Sequence, residues 1–350
     1  MRPHKFHSVH VKDRIAGKII PRFINNDVAN NTNELGFSEL QNEKPQHPTT
    51  LEQFSTPPSF SIYSQNLLAS YWTDLDRYHF VEEPLSENYE WNGRIKKFMR
   101  DFTMHRPDVI CLQEVEISLF EKDILGPMKL MGYNGIVQQK IGDFPVGVGC
   151  LYREEKFELI QVHERSSAIV LVLKLKESGK IIYVVSCHLL GDPRQPQVRI
   201  NQLRSLFKHL KNYQKGQEDA IILCGDFNAE PNSATYKLVV DGYVKAHTME
   251  NGVEATSIET KHHLKLKSAY MEIFGEEPAF TLKTKNNALV TDYIFFSSNF
   301  LNIDKVMEVC EPCDISYICT KSHLPNSKYG SDHLALQAVF SFKDEHVVNK

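Results

Sequence analysis

Short apolar segments that border a polar residue recur along this chain, and they limit the folds it can adopt. A single Asp or Asn at a strand end is usually a turn or cap residue, because its side chain bonds the nearby backbone. Six strand ends that all carry a carboxylate, an amide or an imidazole are hard to ascribe to turns. Loops at one rim of a sheet are where catalytic groups collect, so the pattern predicts a functional site there. The segments are Ser61–Asn66, Val109–Val115, Ile181–Leu189, Ala220–Asn228, Leu289–Phe296 and Ser331–His333.

Apolar periodicity predicts one α/β domain, over residues 59–345, in which β-branched runs alternate with helical patterns. We find no internal repeat of solenoid period. The predicted strands are Phe60–Gln65, Val109–Leu112, Gly147–Tyr152, Ala168–Leu173, Ile181–Cys187, Ala220–Cys224, Tyr293–Phe296 and Leu334–Phe342. The predicted helices are Asn92–His105, Ile117–Met131, Gln197–Tyr213 and Ser233–Val240.

Residues 1–58 have the composition of a tail and linker. Residues 1–23 are basic with one acid, Asp13, and residues 24–58 are rich in Asn, Pro, Gln and Thr. Such a composition cannot offset its ordering entropy, so we expect disorder. A mitochondrial presequence is the alternative, although two prolines and three histidines fit it poorly. We expect a cytoplasmic protein, with the nucleus as a further location.

Composition excludes several classes of protein. The 40 Lys and Arg residues against 44 Asp and Glu give a net charge of −4, which excludes a bulk cationic nucleic-acid binder but not a local basic groove. No apolar run reaches the ~18–20 residues that span a bilayer, so we expect no membrane association. Seven dispersed cysteines argue against a disulfide scaffold and for a reducing compartment.

The carboxylates and amides at the strand ends form an oxygen-rich set. Its members are Glu114, Asp226 and Asp332, with Asn66 and Asn228. Hard oxygen donors suit Mg²⁺ or Mn²⁺ better than zinc, and Mg²⁺ is commonly shared between one or two carboxylates and a substrate phosphate. The set therefore predicts metal-assisted attack of water on a phosphate ester.

Cationic and imidazole groups accompany this set. His188 and His333 can donate to phosphoryl oxygens, or one of them can shuttle a proton near neutral pH. Asp292 could orient a histidine as the acid of a catalytic triad does. Arg194 and Arg199, which follow His188 closely, are candidates for binding substrate phosphate.

Five motifs in this chain resemble, in order and spacing, those of the endonuclease/exonuclease/phosphatase superfamily. They are Ser64–Asn66 (SQN), Leu112–Val115 (LQEV), Gly225–Asn228 (GDFN), Asp292–Phe296 (DYIFF) and Ser331–His333 (SDH). Within that superfamily, His188–Arg194 (HLLGDPR), Leu324–Asn326 (LPN), Trp91 and Arg94 resemble the Angel subgroup, relatives of the CCR4-type deadenylases. One departure is Gln65, where the family usually has Tyr.

The resemblance implies a four-layer α/β sandwich of two facing mixed sheets flanked by helices, with the site at one rim. It makes Glu114 the principal Mg²⁺ ligand, with Asn66 and Asp332 nearby; Mn²⁺ could substitute.

The resemblance also implies catalytic roles. Asp226 would orient or deprotonate the attacking water, and Asn228 would hold a phosphate oxygen. His188 and His333 would stabilise the charged transition state, with Asp292 fixing His333. Which group is the general base stays open.

By the same resemblance we expect a Mg²⁺-dependent hydrolase at RNA 3′ ends, a 3′→5′ exoribonuclease of deadenylase type. The first alternative is hydrolysis of a terminal 2′,3′-cyclic phosphate, and the second is a catalytically silent RNA-binding or translational adaptor. Proteins of translation or mRNA decay would be its partners.

Three further motifs have competing interpretations. The pair Cys310-x2-Cys313, followed by Cys319 and His323, has the spacing of a small zinc site, but free thiols in a loop are favoured. The basic run Lys261–Lys267 is either a solvated face, which we favour, or a guide for an RNA strand. Tyr63-x4-Leu68 fits the core of a cap-binding-factor docking motif, although burial on the first core strand is the better interpretation.

Overall fold

Two mixed β-sheets face each other in the computed structural model, which describes residues 23–25, 58–73, 88–140, 144–214, 219–250, 253–310 and 324–343. The strands are β1 (Phe23–Asn25), β2 (Ser59–Asn66), β3 (Val109–Glu116), β4 (Tyr133–Gln139), β5 (Val146–Arg153), β6 (Phe157–Arg165), β7 (Ala168–Leu175), β8 (Ile181–His188), β9 (Ala220–Asp226), β10 (Tyr243–Glu250), β11 (Val253–Lys261), β12 (Leu266–Ser268), β13 (Leu282–Lys283), β14 (Ala288–Leu289), β15 (Asp292–Ser297), β16 (Leu301–Met307) and β17 (Leu336–Phe342). The helices are α1 (Ser70–Thr73), α2 (Trp91–His105), α3 (Ile117–Leu119), α4 (Gly126–Lys129), α5 (Pro196–Tyr213), α6 (Ala234–Asp241) and α7 (Ala269–Phe274).

The first sheet has seven strands in the order β1-β16-β17-β2-β3-β5-β4, and the second has six in the order β12-β15-β9-β8-β7-β6. Each sheet contains one parallel pair among antiparallel neighbours, β2 with β3 and β8 with β9. The hairpins β10–β11 and β13–β14 stand apart from both sheets.

The largest apolar cluster lies between the sheets, where Phe60 and Val109 of one sheet pack with Ile169 and Val184 of the other. A second cluster packs α5 and α6 on the outer face of the six-stranded sheet. A third packs α2 on the outer face of the seven-stranded sheet. The predicted α/β class, with two facing mixed sheets and helices outside, is therefore confirmed.

One predicted helix is wrong in its form. Ile117–Met131 is not a single α-helix, because α3 passes into a π-helical segment, Phe120–Leu125, before α4. There the Gly126 N–H bonds the carbonyl of Glu121, five residues earlier. Pro127 follows directly and has no N–H to continue a regular ladder.

The N-terminal tail contains one described segment. Phe23–Asn25 forms β1, which pairs antiparallel with β16, so a structureless linker is wrong for these residues. The rest of the predicted tail before residue 58 lies outside the described residues. Within the part of the chain that the structure describes, no helix has the length and apolar character needed to cross a membrane.

Candidate active site

Five strand ends from the two sheets meet at one edge of the sandwich. Because β8 and β9 are parallel, their carboxyl ends coincide, and His188 is the direct partner of Asp226. The antiparallel strand β15 begins at the same edge, where Asp292 is also paired with Asp226. In the facing sheet, the parallel strands β2 and β3 carry Asn66 and Glu114 to this edge.

A backbone irregularity turns Glu114 towards this edge. The pairing of β3 with β5 slips between Gln113 and Val115, and Glu114 has a φ of 53°. Bulges of this kind re-aim a side chain, and they are common beside active sites. The Ala69 N–H donates to Glu114 Oε2 at 3.0 Å and fixes the other side of the carboxylate.

Asn66 holds two carboxylates at once. Its Nδ2 donates to Glu114 Oε1 at 3.2 Å and to Asp226 Oδ2 at 3.0 Å. Its Oδ1 accepts a hydrogen bond from the Leu68 N–H at 2.9 Å. The geometry therefore gives Asn66 a bridging role, and its role as a metal ligand stays a prediction.

His333 and Asp292 form a buried imidazole–carboxylate pair. His333 Nδ1 lies 2.9 Å from Asp292 Oδ2, which also accepts from the hydroxyls of Thr281 at 2.6 Å and Thr291 at 3.0 Å. The contact predicted for Asp292 is present. The other ring nitrogen, His333 Nε2, lies 3.8 Å from Asp226 Oδ2.

Charge and burial set the protonation of the two histidines in opposite directions. Burial acts to lower the pKa of His333, but Asp292, Asp332 and Asp226 outweigh it, and the pKa lies well above the usual value. Burial lowers the pKa of His188 to about 3, with smaller contributions from Lys140 and His333. We therefore treat His333 as an imidazolium and His188 as a neutral imidazole near pH 7.

The buried carboxylates have raised pKa values. Burial, and then repulsion from Asp292, raises the pKa of Asp226 to about 7. Burial, and then repulsion from Asp332, raises the pKa of Glu114. A bound cation would lower both values, since it favours the charged forms.

Asn228 lies directly after β9 with a φ of 49°. Its N–H donates to Asp226 Oδ1 at 2.8 Å, and its Nδ2 donates to the Leu189 carbonyl at 3.2 Å. The turn depends on a close approach of β9 to β8, because a Cβ at Gly225 would lie 2.0 Å from the carbonyl oxygen of Cys187.

A cavity of about 910 Å³ opens at this edge, and the buried Asn66 and Asp292 lie behind its wall. Glu114, His188, Asp226, Asn228 and His333 all contribute to its wall, as does Asp332. Sequence reasoning missed other residues of this wall, because neither a strand end nor a family motif marks them. They include Trp72, Lys140, Phe144 and Lys285.

The two arginines predicted to bind phosphate have different positions. Arg194 lines the cavity with a side chain that is 86% exposed, and its guanidinium contacts both oxygens of Asp192 at 2.9 Å. Arg199 is buried and donates to the carbonyls of Leu190 at 3.0 Å and Asp192 at 2.8 Å. Arg199 thus holds the loop that carries Arg194, and its binding of substrate phosphate stays a prediction.

Arg94 joins the loops on either side of the site. This fully buried residue of α2 donates to the carbonyls of Leu67 at 2.6 Å and Gly330 at 3.2 Å. Leu67 follows Asn66, and Gly330 lies two residues before Asp332. Through these two loops, Arg94 therefore helps to position the side chains of Asn66 and Asp332.

Two local predictions concern strand β2. Tyr63 and Leu68 are 0% and 4% exposed, so their burial is confirmed and the docking motif is not displayed on the surface. Gln65 is also buried, and it accepts a hydrogen bond from the Tyr63 hydroxyl at 2.7 Å. The glutamine is therefore accommodated where the family usually has tyrosine.

The basic run Lys261–Lys267 does not reach the cavity. Leu266 is paired with Ser297, at the opposite end of β15 from Asp292. Five residue steps along a strand separate these ends by about 17 Å. The exposed Lys267 is paired with Glu272 at 2.9 Å, so the interpretation as a solvated face is the better one. Of the proposed zinc ligands, Cys313, Cys319 and His323 lie outside the described residues.

The donor set fits a divalent cation of the hard, oxygen-binding class. Glu114, Asp226 and Asp332 line the same cavity, and burial followed by repulsion from a neighbouring carboxylate raises the pKa of both Glu114 and Asp226. Ligand atoms of Asp226, Asp292 and His333 lie within 4.8 Å of one another, although Asp292 is already bonded to His333. Glu114 and Asp332, with oxygens on the cavity wall, are the residues that would hold the ion.

Sequence comparison matches residues 64–333 to the Endonuclease/Exonuclease/phosphatase family. The Saccharomyces cerevisiae CCR4-Not complex 3'-5'-exoribonuclease subunit Ccr4 is 28% identical over 83% of this chain and 40% of its own length. Human nocturnin is 27% identical over 83% of this chain and 67% of its own length. The chain thus spans less than half the length of the Ccr4 subunit that it matches.

Solved structures share the fold. ANGEL2, described as a 2',3'-cyclic phosphatase in complex with adenosine-2',3'-vanadate, superposes with a TM-score of 0.72 at 24% identity, over 81% of this chain and 96% of ANGEL2. The human nocturnin catalytic domain superposes with a TM-score of 0.61 at 24% identity, over 82% of this chain and 94% of that domain. The family match covers most of the chain and includes the catalytic edge from Asn66 to His333. The chain belongs to the Endonuclease/Exonuclease/phosphatase family.

Proposed function

We propose that this chain is a Mg²⁺-dependent hydrolase of phosphoester bonds at RNA 3′ ends, acting as a 3′→5′ exoribonuclease. The observation that carries the proposal is the meeting of Glu114, Asp226 and His333 on one cavity wall, with His333 held from behind by the buried Asp292. Relatives that match most of this chain include the yeast 3'-5'-exoribonuclease subunit Ccr4.

Each side chain has a task in such a reaction. Asp226, whose pKa is raised by burial, can accept a proton from an attacking water. The His333 imidazolium, held by Asp292, can donate to a phosphoryl oxygen as negative charge develops there. The neutral His188 and the amide of Asn228 can hold other oxygens of the phosphate.

Glu114 and Asp332, with Asn66 beside them, would hold the Mg²⁺ ion. When bound, the ion neutralises negative charge on the phosphate. The clustered carboxylates cannot do this, because they are negatively charged themselves. Mn²⁺ has the same preference for oxygen ligands and would substitute.

A second candidate is a 2′,3′-cyclic phosphatase acting on RNA 3′ termini. It is supported by the fold similarity to ANGEL2, whose structure holds adenosine-2',3'-vanadate. Both activities would use the same catalytic groups. The third alternative, a silent RNA-binding or translational adaptor, is disfavoured, because RNA binding alone has no use for buried carboxylates that face a phosphate. Translation or mRNA-decay partners and a cytoplasmic location stay predictions.

The product distinguishes these activities. An oligo(A) with a labelled 5′ end and a free 3′-hydroxyl should be shortened stepwise, with release of nucleoside 5′-monophosphates, in Mg²⁺ and not in chelator. The same RNA ending in a 2′,3′-cyclic phosphate is the control on the sequencing gel. Opening and dephosphorylation of that end without loss of length, while the hydroxyl-ended RNA stays whole, would establish the second candidate. No reaction with either RNA would favour the adaptor.

A further inference from the structure

Three aromatic rings form a cluster at the mouth of the catalytic cavity. Tyr71 and Trp72 belong to α1, and Phe144 lies just before β5. The ring of Trp72 lies 4.8 Å from that of Tyr71, edge to face, and 5.8 Å from that of Phe144. We call these three residues the aromatic rim.

Two residues of the aromatic rim are exposed to solvent, and the third, Trp72, is half-buried. Tyr71 is 39% and Phe144 is 42% exposed, and both Trp72 and Phe144 line the cavity. Aromatic residues that pack an interior are nearly inaccessible in this chain, as Phe98 and Phe102 are on α2. Rings that contact one another and keep surface open to a cavity are placed to bind a ligand with a π-face.

Two hydrogen bonds through Ala69 connect the aromatic rim with the carboxylate of Glu114. The Ala69 N–H donates to Glu114 Oε2 at 3.0 Å, and the Ala69 carbonyl accepts from the Trp72 N–H at 2.9 Å. Trp72 is therefore one short helical turn, about 5 Å, from the residue that fixes Glu114. A base stacked on Trp72 would therefore lie close to the phosphoester at Glu114.

A cation stands on the same wall. Lys140 lines the cavity together with Phe144 and His188. Its backbone is anchored, because its N–H donates to the Val146 carbonyl at 2.9 Å. Aromatic rings for bases and a cation for the backbone are the two elements with which proteins bind single-stranded nucleic acid.

We propose that the aromatic rim is a stacking platform for a nucleobase adjacent to the hydrolysed phosphoester, with Trp72 as its central ring and Lys140 as its phosphate contact. This inference rests on the proposed function, since it gives that site its substrate-binding surface. It assigns the ligand class as single-stranded RNA with a base in the position next to the bond that breaks. Every base has a π-face, so we expect the platform to accept all four bases.

The test combines a protein change with a substrate change. Trp72→Ala removes the central ring, Trp72→Phe keeps a ring, and an abasic ribose placed at each of the last three positions removes one base at a time. Loss of an aromatic–base stack lowers affinity by about five- to 150-fold. Phe274→Ala is the matched control, because Phe274 is 39% exposed, as Tyr71 is, and lies on α7 away from the cavity lining.

We expect Trp72→Ala to raise KM by a factor in that range and to change kcat less, and Trp72→Phe to restore most of the affinity. One abasic position should raise KM by a similar factor in the wild type but by less than about twofold in Trp72→Ala, since contacting groups are not additive. The platform would be overturned if, at every abasic position, the increase in KM were the same in Trp72→Ala as in the wild type. An unchanged KM in Trp72→Ala would also overturn it. Either result would leave the proposed function standing.

A binding measurement separates the two proposals. RNA should quench tryptophan fluorescence in the wild type, and the quenching should fall in Trp72→Phe and with the abasic RNA. If the wild type hydrolyses no RNA 3′ end and this Trp72-dependent quenching is present, the platform is supported and the proposed function fails. If Trp72→Ala instead changes the oligomeric state in sedimentation and leaves RNA binding unaltered, the rim is a protein contact and the platform is wrong.

Discussion

The side-chain amide of Asn66 donates to Asp226 Oδ2 at 3.0 Å, and this bond links the two sheets at the catalytic edge. Asn66 ends β2 of the seven-stranded sheet, and Asp226 ends β9 of the six-stranded sheet. The same amide donates to Glu114 at 3.2 Å. One neutral donor therefore orients both carboxylates, a task that a purely accepting side chain could not perform.

The first prediction follows from this bond. Asn66→Asp keeps the shape but places a third acceptor against Glu114 and Asp226. We expect the free energy of unfolding to fall by about 2–4 kcal/mol and kcat to fall at least ~100-fold, because two buried hydrogen bonds become repulsive contacts. Denaturant unfolding and RNA hydrolysis measure the two effects. A variant as stable as the wild type would show that the amide bonds contribute nothing.

The second prediction concerns Glu114→Gln, which removes charge at constant size. Activity should fall at least ~100-fold, since the carboxylate that would hold the ion is lost. Without metal the variant should melt at the same temperature or higher, because repulsion from Asp332 disappears. Added Mg²⁺ should raise the melting temperature of the wild type and not that of the variant. The matched control is Glu121→Gln, at a position whose side chain is 74% exposed.

The third prediction concerns the pair formed by Asp292 and His333. Asp292→Asn should lower the pKa of His333, because its largest favourable charge contact is lost, and NMR titration of the imidazole measures this. We expect kcat to fall by about 100-fold or more with little change in RNA affinity. The control is Thr291→Val, which removes one hydroxyl donor to Asp292 and leaves the imidazole contact intact. Unchanged turnover in Asp292→Asn would make Asp292 only a strand-start residue.

The catalytic edge could be predicted from sequence because local patterns indicate it. Each apolar run predicts a strand, and the polar residue that follows the run predicts the end of that strand. Asp226, which follows Ala220–Cys224, is an example. The direct pairing of Asp292 with Asp226 depends on strand order, which no single run specifies. Family resemblance supplied that order, and with it the facing sheets.

Other features lacked a local signal. Phe157–Arg165 alternates weakly and forms an edge strand, where one face is solvated and hydrophobic patterning is dilute. The contacts of Arg199 could not be predicted, because sequence proximity to His188 does not say which way a guanidinium points, and here it donates to backbone carbonyls. Trp72 and Phe144 are 72 positions apart in the chain, and only tertiary structure brings their rings together.

The fourth prediction is a pH dependence of stability that originates at His262. Its Nε2 lies 2.7 Å from the Leu238 carbonyl and its Nδ1 accepts from the Leu264 N–H at 3.2 Å, so both nitrogens are used by the neutral ring. Burial lowers the pKa of His262 in the folded state. The unfolded state then binds more protons below about pH 6.5, and stability falls as the pH decreases from there towards the folded pKa.

We therefore expect the wild type to lose more free energy of unfolding between pH 7 and pH 5 than His262→Gln does, by at most about 1.4 kcal/mol per pH unit for one proton. Denaturant titration at both values measures the difference. His263→Gln, a change at the exposed neighbour, should behave as the wild type does. Equal losses in wild type and His262→Gln would place the acid sensitivity elsewhere.

The last prediction contrasts two sets of lysines. Lys265 and Lys267 are exposed near the end of β15 opposite to Asp292, and Lys261 is exposed at the end of β11, whereas Lys140 lines the catalytic cavity. A phosphate contact on a single strand contributes about 0.7 to the slope of log K against log[salt], so only a residue at the site should change that slope. Replacing the three distant lysines by Ala should therefore leave the slope of RNA binding unaltered, although it removes three positive charges. Lys140→Ala, which removes one, should reduce the slope by about 0.7 and weaken binding at low salt more than at high salt. Titrations of a short RNA at several salt concentrations measure both variants.

A reduced slope in the triple variant would restore the interpretation of the basic run as a guide for RNA. An unaltered slope in Lys140→Ala would show that Lys140 does not contact the substrate.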